Sequence, residues 1–180
     1  MSKNLLNALL ALIGICACLL AGNSLWLLLV ALALLVHLSH TSRWNAEGKL
    51  LASTLIAGSA LDSFLLQLGV FDYGEPRLLI PQWQAAIWLL LGTTLNHSLG
   101  WSARPWWRAS LLGACAGPLI YYAAQERGLL SFPYGSLTTL ALIALLWAAL
   151  VPALHGFAAL YKLQFEQAQR ALLNRRTPPN

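Results

Sequence analysis

Asp62 is the residue that first invites a chemical question. It lies in the apolar run after Lys49, about 20 Å along a helix at 1.5 Å per residue, beyond the middle of a membrane-thick segment. An unpaired ionised carboxylate in hydrocarbon costs several kcal/mol. Asp62 is therefore either an acid/base group or a hydrogen-bonded tie between helices. Ser59, Ser63 and Gln67 recur every four residues beside it, on one helical face. A second ladder, Gln84, Trp88, Gly92 and Asn96, follows, with Thr93 and His97 alongside. In the enzymatic reading Asp62 is the acid/base, with Asn96 and His97 completing the catalytic set. Ser59, Ser63, Gln67, Gln84, Trp88 and Tyr121 then line the substrate cavity. The plainer reading makes Trp88 a core aromatic and Tyr121 an interfacial one.

The four histidines, His37, His40, His97 and His155, fall toward one side of the spans described below. His37 and His40 are three apart and can face one metal or one acid/base site. No acid or cysteine is placed beside them by spacing alone, so no metal site is assigned and no cofactor is expected. Cys16, Cys18 and Cys115 lie in apolar stretches without metal-site spacing and read as small buried hydrophobes. Asp72, Tyr73, Glu75, Arg77, Gln82 and Gln84 cluster at the opposite end. They form either the mouth of a cavity above Asp62 and Gln67 or a solvated loop with a local Glu75–Arg77 pair.

The elements that position these residues follow from composition. Of 180 residues, 58% are hydrophobic and only 9% charged, against roughly a quarter charged in soluble domains. A membrane-crossing helix needs about 20 mostly apolar residues. Six such stretches fit, at about 4–20, 24–38, 50–71, 82–99, 108–124 and 136–160. The expected fold is all-α, an integral membrane bundle of about six transmembrane helices. Residues 1–162 form that single domain, and 163–180 a short basic cytoplasmic tail. Lys3 ahead of an apolar run resembles a signal peptide, but nothing before Cys16 or Cys18 suits a lipoprotein site, so the run is read as the first membrane helix. Residues 40–49 and 72–77 read as polar turns.

Orientation follows from Lys and Arg placement. With the N-terminus inside, the inner segments carry Lys3, Arg43, Lys49, Arg104, Arg108, Lys162, Arg170, Arg175 and Arg176, nine of the eleven basic residues. Both ends then face the cytoplasm of a bacterial inner membrane. The net charge of +5 is thus explained by loops and tail, not by a nucleic-acid surface.

The run from Trp83 to Leu99, ending in Thr94-Leu95-Asn96-His97-Ser98-Leu99, with Asp62 upstream and Gly117-Pro118 downstream, resembles the bacterial membrane family labelled domain of unknown function 2878. The resemblance covers roughly residues 4–160. It implies no mechanism. It does imply association with enzymes that modify fatty acyl chains, and so with membrane lipids and a cytoplasmic lipid-modifying enzyme as partners. Three function classes follow: an enzyme or accessory subunit in membrane lipid modification, a small proton-coupled transporter or flippase, and a structural anchor docking a cytoplasmic enzyme.

Overall fold

The computed structural model describes residues 3–22, 24–41 and 44–176. Six α-helices make up the chain: α1 (Lys3–Ala21), α2 (Leu27–Val36), α3 (Trp44–Gln67), α4 (Gln82–Thr94), α5 (Trp107–Glu126) and α6 (Ser136–Arg176). A π-helical turn, His37–Thr41, continues α2, and a 3-10 turn, Gly100–Ala103, precedes α5. Among the described residues there is no β-strand, only an isolated bridge between Asp72 and Ser131. The fold is all-α.

Three stretches are long and apolar enough to cross a membrane: Lys3–Leu20, Glu47–Gln67 and Ser136–Leu173. Leu27–Ser39 is a shorter apolar helix. The outward faces agree with that reading. Leu12, Ile56, Phe64, Leu119, Leu137 and Leu145 are all more than half exposed, large apolar side chains that suit contact with lipid better than with water. This is the surface of a membrane protein.

Successive helices run in opposite directions. The start of α1, the end of α2, the start of α3 and the end of α4 meet at one end, where Asn7, His37, Glu47 and His97 bond to one another. The far end is closed by loops 68–81 and 127–135, with Asp72 and Ser131 exchanging backbone hydrogen bonds of 3.0 and 2.7 Å. α3 and α5 stop there in the same way, through a glycine with positive φ, Gly69 at 70° and Gly128 at 67°. The next residue's N–H then turns back to the helix, Val70 to Leu65 O and Leu129 to Ala124 O.

Close approach is built from small residues, as expected where no hydrophobic drive exists between helices in lipid. A Cβ on Gly113 would lie 2.3 Å from the carbonyl oxygen of Trp147, and one on Gly58 would lie 2.0 Å from the Trp88 ring. These contacts seat α5 on α6 and α3 on α4. The aromatic centre is Trp88 against Trp147, ring centroids 4.7 Å apart, with Tyr121 edge-on to Trp147.

Two boundaries differ from the sequence reading and matter for the site. The segment 40–49, read as a polar turn, is helical from Trp44 onward. Glu47 in the first turn of α3 complements the positive end of the helix dipole. Its acid therefore rides on a rigid element. α4 in turn ends at Thr94, because the Thr93 and Thr94 hydroxyls donate to Leu90 O and Leu91 O at 2.7 and 2.6 Å and compete with the backbone ladder. Asn96 thereby leaves the Gln84–Trp88–Gly92 face.

Gly113→Val should lower stability by about 1–3 kcal/mol, since its new methyls meet backbone that cannot move aside. Gly156→Ala, where an added Cβ meets nothing within 4 Å, should leave stability unchanged. Thermal unfolding of the two variants in detergent micelles checks the contrast.

Candidate functional site

Two polar centres lie inside the bundle. The first surrounds Asp62 in the middle of α3, 1% exposed. Asp62 Oδ2 accepts from Gln84 Nε2 at 2.8 Å and from Trp88 Nε1 at 2.7 Å, both on α4. Tyr121 OH, on α5, donates to Asp62 Oδ1. Gln84 spends its second N–H on Tyr121 OH at 2.9 Å, and its carbonyl accepts from Tyr73 OH at 2.5 Å. Every donor of this set is thus aimed at an acceptor, and the carboxylate ties three helices together. The residual void beside it is about 10 Å³, at the lower limit for a single water. The void that Asp62 itself lines is too small for a substrate.

The second centre sits at the opposite end, around Glu47. His37 Nε2 lies 3.0 Å from Glu47 Oε2 and His97 Nε2 lies 2.6 Å from Glu47 Oε1. The two imidazoles meet edge to face at 5.1 Å. Asn7 anchors the group from α1: its Nδ2 donates to Thr93 O at 3.0 Å and faces His37 Nδ1 at 3.2 Å. Its Oδ1 accepts from Ser98 N–H and from Ser98 Oγ–H, at 3.2 and 2.6 Å. Those bonds fix which way the amide points, and hence where the histidine protons lie. His37 Nδ1 accepts, so its proton is on Nε2 and is donated to Glu47. His97 Nε2 likewise donates to Glu47.

Unlike the Asp62 centre, this one opens outward. Glu47 and His97 form a wall of a cavity of about 330 Å³, completed by Asn96, Lys162, Phe165 and Glu166. The arrangement can hold a polar ligand and exchange a proton with it through His97.

His37, Glu47 and His97 also qualify by distance as a three-ligand metal set, their ligand atoms within 4.8 Å of one another. A metal on His37 Nε2 would move the ring proton to Nδ1, where a ligating histidine usually donates to an acceptor. Here that position meets the Asn7 amide nitrogen. The surroundings are arranged for protons.

The residues singled out by sequence divide between these centres. Asp62, Gln84, Trp88 and Tyr121 come together. Ser63 instead accepts from Ile80 N–H, and Gln67 donates to Arg77 O and Leu78 O, pinning the loop 68–81. Glu75 and Arg77 form an exposed pair at 3.0 Å. Ser59 Oγ is buried without a partner. Asn96 and His97 stand at the other end with Glu47, not with Asp62. His37 pairs with Glu47, while the side chain of His40 lies outside the described residues. His155 bonds Ser102 Oγ at 2.9 Å, apart from both centres.

Asn7 and Glu47 were missed. A polar residue in the first turns of an apolar run, and an acid three residues before another apolar run, were the available signals. Neither shares a helix face with its partners, so spacing could not join them.

With the geometry in place, residues 4–153 match the family described as Protein of unknown function (DUF2878). The chain belongs to that family. No curated protein and no solved structure matches it. The family carries no established activity, so function has to be argued from the two centres.

Asp62→Asn should destabilise the bundle by about 1–3 kcal/mol, because an amide N–H₂ must face at least one of the buried donors. Glu75→Gln, at an exposed ion pair, should cost less than about 1 kcal/mol. Unfolding midpoints in mixed micelles distinguish a bracing Asp62 from one whose replacement the fold does not feel.

Proposed function

We propose that this chain crosses a bacterial inner membrane six times, with both ends in the cytoplasm, and holds a lipid acyl chain within the bundle as an enzyme or accessory subunit of membrane lipid modification. The observation that carries this reading is an apolar slot of about 180 Å³ between α4 and α5. α4 packs on α1 and α3, whereas α5 packs on α6, so the two are not closed against each other. Leu91, Leu112, Ala116, Ile120 and Trp147 are among its walls. Unfilled, such a slot forfeits dispersion contacts on both sides. In a bilayer the available filler is an acyl chain.

The slot has two unlike ends. Thr94 and Leu99 lie toward the Glu47 end, while Ile87, Ile120 and Trp147 also wall the void beneath Asp62. A chain entering from the Glu47 end would stop at the aromatic floor under the Asp62 network. In this reading Asp62, Gln84, Trp88 and Tyr121 hold the slot's shape, and chemistry belongs to the end that carries Glu47 and His97. A wider groove of about 670 Å³ is lined by α1, α2 and the turn between them, including Trp26. It lies open to bilayer lipid and adjoins neither polar centre.

The orientation rests on the sequence placement of Lys and Arg, nine of the eleven falling in the segments read as inner. Beyond the bundle, α6 runs on to Arg176 and carries Lys162 and Arg170. This extension is the surface that a cytoplasmic lipid-modifying enzyme would meet.

Two measurements test the proposal. With Cys16, Cys18 and Cys115 replaced by alanine, Glu75→Cys should react with a membrane-impermeant maleimide in intact spheroplasts. Lys162→Cys should react only after lysis, and the reverse pattern would sink the orientation. A phospholipid bearing a diazirine in its acyl chain should crosslink to α4 and α5, and Ala116→Phe should cut that yield several-fold by filling the slot. Crosslinking spread evenly over the lipid-facing leucines, insensitive to Ala116→Phe, would remove the basis for an acyl-chain site.

A further inference from the structure

We infer that the cavity at the Glu47 end binds the headgroup of a phospholipid carrying both a phosphate and a primary ammonium. The inference rests on the lipid reading above and names the lipid class that the reading leaves open.

The cavity has two kinds of wall. Lys162, on α6, is its cation, three N–H donors on a flexible stem suited to a phosphate. One turn further along the same helix stands Glu166, and across the cavity stands His97. Glu166 presents a carboxylate acceptor. His97 Nε2 is committed to Glu47 at 2.6 Å. Glu47 itself is occupied by two imidazole donors. One cation and one carboxylate a helical turn apart, with the Asn96 amide beside them, complement a zwitterion whose anion and N–H donors are a few atoms apart.

This chemistry selects among common phospholipids. A primary ammonium offers N–H donors to the Glu166 carboxylate. A quaternary ammonium offers none, and a glycerol headgroup has no positive charge to set against Glu166. A simple phosphate would use Lys162 but meet the Glu166 and Glu47 carboxylates nearby. The depth is also suitable, since the cavity lies where α3 begins and α4 ends, at the level expected of headgroups. Its neighbour along α4 is the apolar slot, which Thr94 and Leu99 line from the same end.

His37 and Asn7 are positioning residues for this site. Asn7 holds His37 in the tautomer that donates to Glu47, and Glu47 in turn holds the His97 ring in place beside the cavity.

The test uses the full chain, purified and delipidated in detergent, with lipid binding followed by native mass spectrometry. Dioleoyl phosphatidylethanolamine should bind about tenfold more tightly than the matching phosphatidylcholine or phosphatidylglycerol, the worth of one or two charge-assisted hydrogen bonds. Glu166→Gln should bring phosphatidylethanolamine down to the level of phosphatidylcholine. Lys162→Met should weaken all three lipids together. Both residues are exposed, so neither change threatens the fold. Soluble phosphoethanolamine should compete, whereas inorganic phosphate or ethanolamine alone should not.

Equal or tighter binding of phosphatidylglycerol would overturn the inference, since the cavity would then read only negative charge. Competition by inorganic phosphate alone would do the same. So would a stoichiometric zinc content that Glu47→Gln abolishes, because Glu47 and His97 would then hold a metal and not border a headgroup. Loss of headgroup selectivity with acyl crosslinking intact rejects this inference only. Loss of both rejects the lipid reading as well.

Discussion

A polar group inside a bilayer has no water to turn to, and every donor and acceptor must be answered by the protein itself. The arrangement around Asp62 is that constraint made concrete. One carboxylate collects an indole, a phenol and an amide from two other helices, and the amide is answered in turn by Tyr73 from the loop 68–81. Remove the acceptor and several donors are stranded at once. The Trp88–Trp147 stack, the approach at Gly58 and the closure of the end formed by loops 68–81 and 127–135 all assume that α3, α4 and α5 are held in this relation.

The same constraint acts differently at the other end. Glu47 is also buried and also answered, but by imidazoles, which can lose or gain a proton where indole and amide cannot. One face of the group borders a cavity with Asn96 and Lys162. A closed network braces and an open one can exchange. Between them runs the slot that α4 and α5 leave unfilled.

Much of the fold was legible beforehand because hydropathy is a local property. Each apolar run could be found without knowing its neighbours, and the alternation of helices follows from short connections. Boundaries set by side-chain chemistry were harder. The hydroxyls of Thr93 and Thr94 end α4 early, and helix from Trp44 onward turns a polar interval into the seat of Glu47. Asp62 stood out because it is an acid deep within an apolar run. Glu47 did not, because it lies beside Lys49 near a helix end, where acids are ordinary.

Taken alone, the sequence determined the helical class, the family, and the location of the costly polar residues, since each depends on composition within a single segment. It grouped Asp62 with Asn96 and His97, all three polar residues in or beside apolar spans. Only the tertiary structure separated them into a closed centre and an open one. The reason is geometric. Asn7, His37, Glu47 and His97 come from four different segments, with partners 30, 10 and 50 positions apart. No periodicity within one helix can encode which ends of four helices will meet.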